Sequence, residues 1–280
     1  MSPTIVGIVI PDVLFFGFLF VLGAIIGSFL NVCIWRMPRE ESIVRPGSHC
    51  TSCNKLIAWH DNIPIVSYLA LAGRCRACKA GFSPRYLMVE ALTGLATIAV
   101  VARFGVNPIS MVYLAFVYAL IVITFVDLDF QIIPDEISVY GAVAGLVLSI
   151  LIPQLHGTDS RLMGWVWSTV GLLVGGGLLF FTGMLGDFLF KRESMGGGDI
   201  KLLAMAGSIL GWKAVTITFF LAPLLAVIPG LLIILFKKKH VIAYGPFLAL
   251  ALVVSLFAGD WVVQVSGFGE TIRLLREYRN

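Results

Sequence analysis

Charged residues are scarce in this sequence: Asp, Glu, Lys and Arg make up 13% of its 280 residues, while hydrophobic residues make up 59%. The mean hydropathy is +0.96. Soluble domains carry about 25% charged residues, so this composition excludes an ordinary soluble protein. The sequence predicts an integral membrane protein.

Two further features are missing. No stripe of lysine and arginine interleaved with aromatic residues follows any segment, so nucleic acid binding is not expected. The first residues also lack the basic region of a cleavable signal, and a polar segment follows the first apolar run where a small-residue cleavage site would be needed. That first run is therefore expected to remain as a membrane helix.

Long apolar runs predict the architecture. A transmembrane helix needs about 20 predominantly apolar residues, and eight segments come near this requirement. They are residues 13–34, 87–103, 109–126, 137–155, 162–185, 200–212, 214–236 and 243–264. The second contains Glu90 and the sixth is short, which makes these two the weakest. We expect an all-α polytopic membrane protein with about eight transmembrane helices, the first within residues 1–34.

The distribution of basic residues predicts the orientation. Cytoplasmic loops carry an excess of Lys and Arg, and residues 35–86 contain eight of them. If this segment is cytoplasmic and the spans alternate, fourteen basic residues fall on the cytoplasmic side and six on the other. The N-terminus is then expected to face outward. This bias accounts for the net charge of +4.

Four of the five cysteines form two pairs between the first two spans. They are Cys50, Cys53, Cys75 and Cys78, with the spacing C-x2-C-x21-C-x2-C. Such paired turns are typical of a structural zinc site with four thiolate ligands. His49 or His60 could replace a cysteine as a ligand, and two disulfides could form in an oxidising compartment. The basic surroundings favour a cytoplasmic domain that zinc helps to fold.

Carboxylates cluster at the end of the third span, in "VDLDFQIIPDEIS", which contains no lysine or arginine. Its acidic residues are Asp127, Asp129, Asp135 and Glu136. Asp199 follows Gly196, Gly197 and Gly198, and the predicted topology places it on the same side of the membrane. Carboxylates near hydrocarbon are costly and commonly functional, and two close together share a proton. This pattern is compatible with the two-aspartate site of an aspartic protease.

Structural roles compete with that interpretation. Asp135, Glu136 and Asp199 each precede an apolar helix, where carboxylates are good caps. Lys201 could keep a nearby carboxylate ionised or anchor the helix end at lipid phosphates. The glycines could serve as a hinge, or they could allow the backbone conformations barred to other residues and a close approach to an extended substrate.

The motifs together resemble the bacterial type IV prepilin leader peptidases. They are "GSFLNVCIWRMP", the cysteine pairs around "NIPIVSYLALAGR", "VDLDFQIIPD", "GGGDIKLLAMAG" and "YGPFLALA". That family consists of polytopic inner-membrane aspartic proteases of the G-x-G-D type. The resemblance implies that Asp127 and Asp199 are catalytic and that residues 87–280 form the peptidase domain.

The resemblance also implies substrates and a second activity. The substrates would be prepilins and pseudopilins of type IV pilus and type II secretion systems, cleaved after a glycine at the cytoplasmic membrane boundary. Members with the cysteine domain also methylate the new N-terminal amine with S-adenosylmethionine, which makes residues 35–86 the candidate methyltransferase region. No glycine fingerprint marks a methyl-donor site there, so its residues are not assigned.

Other functions remain open at this point. The cysteine domain could serve only to dock substrate to a peptidase without methyltransferase activity, or the chain could be an assembly factor without catalysis. A proton-coupled transporter would also place carboxylates and glycine-broken helices in the membrane. It is disfavoured because the sequence has no internal repeat and its acidic residues lie at helix ends on one side.

Overall fold

The computed structural model describes residues 4–5, 8–9, 12–191, 195–237 and 243–265. Two strands of two residues each, β1 (Thr4–Ile5) and β2 (Ile8–Val9), pair antiparallel. The other regular elements are helices, and the chain forms two compact units that meet in sequence after Phe130. The helical class predicted from the sequence is confirmed.

The first unit contains four α-helices. They are α1 (Asp12–Arg36), α2 (Val66–Ala70), α3 (Arg85–Phe104) and α4 (Pro108–Phe130). Short 3-10 turns at Met37–Arg39 and Trp59–Asp61 belong to the segment between α1 and α3, which also holds the cysteines. This segment contains little regular secondary structure, as expected for about fifty residues whose hydrophobic core is too small to fold alone.

Small residues bring α1 and α3 together. A Cβ on Gly23 would lie 2.8 Å from the Cα of Gly94, and a Cβ on Gly27 would lie 2.8 Å from the Cα of Glu90. Such close backbone approach is typical of helix packing in membranes. Association there is driven largely by van der Waals contacts, and small residues allow the helices to come close enough to make them. It brings the last turns of α1 next to the first turns of α3.

The second unit contains the remaining helices. They are α5 (Asp135–Leu151), α6 (Arg161–Phe190), α7 (Gly197–Lys237) and α8 (Gly245–Val265), with a 3-10 turn at Pro153–His156. Helices α6 and α7 are in backbone contact, because Gly171 leaves room for the carbonyl oxygen of Gly207 and Gly175 leaves room for that of Leu203. The hydroxyl of Ser168 also donates to the carbonyl of Ser208 at 2.6 Å.

Helix α7 joins two of the predicted spans. Its 41 residues would extend about 60 Å as a straight rod, twice the roughly 30 Å of a bilayer core. Gly211 interrupts it with φ 81° and ψ 171°, a conformation that favours glycine. This break lies next to the predicted boundary between residues 200–212 and 214–236, so the two predicted spans correspond to two helical segments that meet at Gly211.

Five described helices have the length and apolar composition of a membrane span. They are Asp12–Arg39, Arg85–Phe104, Pro108–Phe130, Arg161–Phe190 and Gly197–Val227, and Gly245–Gly259 is a shorter apolar helix. The predicted span of residues 87–103, one of the two weakest candidates in the sequence, is thus part of the long apolar helix Arg85–Phe104 in spite of Glu90. The number of eight crossings stays a prediction. The third predicted span, residues 109–126, ends too early, because α4 continues to Phe130.

Candidate active site and metal centre

The four paired cysteines form one cluster. Their Sγ atoms all lie within 4.8 Å of one another, and those of Cys50 and Cys78 are 3.8 Å apart. Four sulfurs bound to zinc at about 2.3 Å in a tetrahedron are themselves about 3.8 Å apart, whereas a disulfide bond measures about 2.05 Å. All four thiols are free, so the cluster fits a metal ion and not two disulfides. His49 and His60 are not part of it.

Both cysteine pairs lie on the same kind of turn. The carbonyl of Cys50 accepts the N–H of Asn54 at 2.8 Å, and the carbonyl of Cys75 accepts the N–H of Lys79 at 3.0 Å. Asn54 and Lys79 both have a positive φ, at 57° and 61°. The two halves of the metal centre therefore have equivalent backbone geometry, although their sequences share only the cysteine spacing.

Backbone amides favour the thiolate form of the first cysteine of each pair. The N–H groups of Ser52 and Cys53 lower the pKa of Cys50 to about 6. In the second turn, the N–H groups of Cys78 and Ala77 lower the pKa of Cys75. Because the thiolate is the form that binds a metal, these amides favour metal binding at neutral pH.

The two aspartates of the "VDLD" stretch have different environments. Asp127 lies in the last turn of α4 and is 6% exposed. Asp129 is exposed and binds Arg85, the first residue of α3. Successive helical residues are about 100° apart, so two positions change the face. Asp127 is the buried carboxylate expected of a functional residue, whereas Asp129 forms a surface ion pair.

Asp199 lies in the first turn of α7 and is half-buried. Its N–H donates to the carbonyl of Gly196 at 3.2 Å. Because α7 begins at Gly197, Asp199 is the third helical residue and not the N-cap that the sequence allowed. The structure thus places the carboxylate at the helix end where the positive end of the helix dipole favours an anion.

The three glycines before Asp199 have ordinary backbone conformations. None of them is among the described glycines with a positive φ, so the expectation of conformations barred to other residues was wrong for this structure. The glycines differ in the room that a side chain would have. A Cβ on Gly198 would lie 3.0 Å from the Cβ of Ile133, whereas a Cβ on Gly197 would meet no atom within 4 Å. The lack of a side chain matters at Gly198 because Ile133 lies against it.

Contacts within the second unit join the end of the acidic motif to the glycine motif. Besides the contact between Gly198 and Ile133, Lys201 binds Asp135. Ile133 and Asp135 belong to "QIIPD", whereas Gly198 and Lys201 flank Asp199. Two motifs separated by about sixty residues in the chain are therefore in contact.

Two cavities lie in the first unit: the smaller one is lined by α1, α3 and the segment of residues 37–84, and the larger one by α1 and the same segment. Their volumes are about 150 Å³ and about 640 Å³. They share six lining residues, which are Ser28, Val32, Arg36, Ser48, Asn62 and Ile63. The smaller cavity also contacts Asn31 and Glu90. Sequence reasoning did not assign this site, because the polar residues are dispersed over α1, α3 and the intervening segment.

Comparison with known proteins gives matches along most of the chain. The bacterial peptidase A24 N-terminal domain matches residues 21–104, and the type IV leader peptidase family matches residues 114–231. A protein of Myxococcus xanthus named prepilin leader peptidase/N-methyltransferase is 40% identical over 79% of this chain and 64% of its own length. Proteins of the same name from Aeromonas hydrophila and Pseudomonas aeruginosa are 32% and 30% identical, and the alignments span 93% of each. No solved structure matches this chain.

Proposed function

The chain belongs to the type IV leader peptidase family, and we propose that it is a prepilin leader peptidase and N-methyltransferase of the bacterial inner membrane. It removes the leader of prepilins and pseudopilins after a glycine and methylates the N-terminal amine that cleavage creates. One observation supports the proposed peptidase activity. The two expected catalytic carboxylates lie at the end of one apolar helix and the start of another, Asp127 in α4 and Asp199 in α7.

Asp127 and Asp199 act as a pair in which one carboxylate is ionised and the other protonated. The ionised carboxylate takes a proton from water as the water oxygen attacks the carbonyl carbon of the scissile peptide bond. The protonated carboxylic acid donates a hydrogen bond to the carbonyl oxygen, where negative charge develops. When the C–N bond breaks, the departing nitrogen receives a proton from the pair.

The predicted orientation places this chemistry at the cytoplasmic boundary of the membrane. The basic residues between the first two spans support that orientation. Helix α4 is apolar up to Asp127, and α7 has no charged residue between Lys201 and Lys213. A substrate with a polar leader and an apolar helix would place its cleavage site at this depth.

The cysteine cluster holds a structural Zn²⁺. Four thiolate ligands leave no open coordination position, so the metal stabilises the fold and does not take part in peptide cleavage. Because the segment of residues 37–84 contains only short helical elements, we expect the metal to supply much of its folding free energy.

S-adenosylmethionine supplies an activated methyl group to the second reaction. The domain between α1 and α3 is the methyltransferase region, since it provides a cavity lined by both apolar and polar side chains in addition to the cysteine cluster. The substrate is the free amine of the processed pilin, so methylation follows cleavage.

Aspartate variants test the peptidase mechanism. Asp127→Asn and Asp199→Asn each remove one ionisable group with little change in volume, and prepilin cleavage in membranes should fall at least about 100-fold. Asp159→Asn is the matched control, because Asp159 is exposed in the turn before α6. Full cleavage by either of the first two variants would contradict the two-aspartate mechanism.

Mass spectrometry of the processed pilin tests the second activity. With S-adenosylmethionine present, the mature N-terminus should gain one methyl group. An unmethylated N-terminus after complete cleavage would reduce the function to that of a peptidase.

A further inference from the structure

We propose that the smaller cavity of the first unit, together with the part of the larger cavity next to Arg36, binds S-adenosylmethionine through Asn31, Arg36 and Glu90. The proposal rests on the methyltransferase function proposed above and assigns the site for its methyl donor. The ligand is zwitterionic at its amino acid end and also carries a positive sulfur and an aromatic base. A fitting site therefore needs groups of both charges, a free hydrogen-bonding group and aromatic rings.

Asn31 provides the free hydrogen-bonding group. This residue of α1 is 4% exposed, and its Nδ2 donates to the backbone carbonyl of Tyr86 at 3.1 Å. Its Oδ1 is buried and has no hydrogen-bond partner. Buried acceptors are nearly always paired in folded proteins, and Asn31 lines the cavity. A ligand N–H would satisfy this acceptor.

Arg36 provides a positive charge at the junction of the two cavities. The residue is 6% exposed and lines both cavities. Its guanidinium donates only to backbone carbonyls, those of Ser42 at 2.9 Å and Pro46 at 2.8 Å being the shortest contacts. In the part of the chain that the structure describes, it forms no ion pair with a carboxylate. Buried charges are normally paired, so Arg36 suits the carboxylate of the ligand.

Glu90 provides the negative charge. It is 7% exposed at the start of α3, and its Oε2 accepts the backbone N–H of Ile65 at 2.7 Å. Ile65 has φ +64°, which is rare for a β-branched residue and is often found at functional sites. The other acidic residue of the cavity, Asp61, is already bound by Arg76 through both carboxylate oxygens. Glu90 is therefore the better partner for the ammonium or the positive sulfur.

Aromatic residues and volume complete the match. Trp35, Tyr68, Phe82 and Tyr86 line the smaller cavity and offer ring faces to an adenine base. Sites for ligands of this size measure about 300–1,000 Å³, so the cavity of about 150 Å³ is too small alone. The adjoining cavity of about 640 Å³ supplies the remaining volume and is lined mainly by apolar residues.

Direct binding tests the assignment without relying on turnover. Equilibrium dialysis with radiolabelled S-adenosylmethionine would be carried out on the zinc-loaded full chain in lipid nanodiscs. Asn31→Leu and Glu90→Gln should each weaken binding at least tenfold. Glu41→Gln is the matched control, because Glu41 is exposed and lines neither cavity, and it should bind like the wild type. Zinc content and thermal unfolding check that each variant is folded.

A protection experiment covers the case in which a variant does not fold. Asn62→Cys introduces an exposed thiol on a residue that lines both cavities. S-adenosylmethionine should slow its alkylation by a maleimide at least fivefold, but should not slow that of Glu41→Cys. If the wild type binds the ligand while the folded variants bind equally well or Asn62→Cys is not protected, the site assignment is wrong. If the wild type does not bind at all, the methyltransferase function itself is contradicted.

Discussion

Lys201 binds the carboxylate of Asp135, with its Nζ 2.7 Å from Oδ1 and 2.8 Å from Oδ2. The sequence left open whether Lys201 pairs with a carboxylate or anchors at lipid, and whether Asp135 caps a helix. In the structure Asp135 is the first residue of α5, and Pro134 is the N-cap, without a side-chain hydrogen bond. The ion pair connects the acidic motif to the helix that carries Asp199.

The Lys201 pair should contribute little to stability. Both side chains are about half exposed, at 46% and 60%, and exposed ion pairs are worth about 0–1 kcal/mol. A double-mutant cycle with Lys201→Met and Asp135→Asn, followed by denaturant unfolding in mixed micelles, should give a coupling energy within that range. A coupling above about 2 kcal/mol would mean that water is excluded from this pair.

Cysteine substitution should separate the metal centre from the rest of the chain. Cys50→Ser removes one ligand from a cluster of four, so zinc bound per chain, measured by mass spectrometry of the metal, should fall sharply. Cys33→Ala is the matched control, because Cys33 is buried in α1 outside the cluster, and it should retain the metal. Methylation should decline more than prepilin cleavage in Cys50→Ser. An equal and immediate loss of both activities on chelation would contradict a metal that only organises the first unit.

Alanine at two glycines of α6 should have opposite effects. A Cβ on Gly171 would overlap the carbonyl oxygen of Gly207, so Gly171→Ala must move α6 away from α7 and should destabilise the protein by about 1–3 kcal/mol. A Cβ on Gly177 meets only the ring of Phe181, at 3.8 Å. Gly177→Ala should be neutral or stabilise the helix by up to about 1 kcal/mol. Thermal unfolding of the two variants would measure the difference, and equal effects would show that the close helix contact is not required.

The glycine motif allows a similarly matched comparison. Gly198→Ala places a methyl group 3.0 Å from the Cβ of Ile133, whereas Gly197→Ala meets no atom within 4 Å. We expect prepilin cleavage to fall about tenfold or more for Gly198→Ala, because a 1 Å displacement of a catalytic group can cost about 100-fold in rate. Gly197→Ala should lose less. The expectation fails if cleavage by the folded Gly198→Ala variant equals that of the wild type.

Local pattern was enough to predict the helices and the metal centre. Apolar runs give helix positions directly, and the spacing of Cys50, Cys53, Cys75 and Cys78 predicts the two tight turns that form one cluster of four thiols. The boundary at Asp127 was misplaced because an aspartate in the last turn of a helix reads like the start of a loop. The end of α4 is set by residue 131 onward, where Gln131 has a positive φ.

Features that depend on distant pairs were not predictable. The exact position of the break at Gly211 depends on a backbone conformation that glycine permits but does not require. The cavity next to Asn31 and Glu90 lies where α1 approaches α3 closely, with Gly27 against the backbone of Glu90. No single stretch of sequence contains that information, since residues 31 and 90 are apart in the chain and belong to different helices.

The equivalent turns at the two cysteine pairs have a consequence for how this domain can change in evolution. Each turn fixes one end of the segment between them, which carries Asn62 and Tyr68 into the cavity wall. The cysteine cluster depends on the turns and on the hydrogen bonds of Ile57 and Gly73 that brace them, so exchanges within residues 58–72 would leave it in place. The segment between the turns can therefore change in sequence while its two anchoring points stay the same.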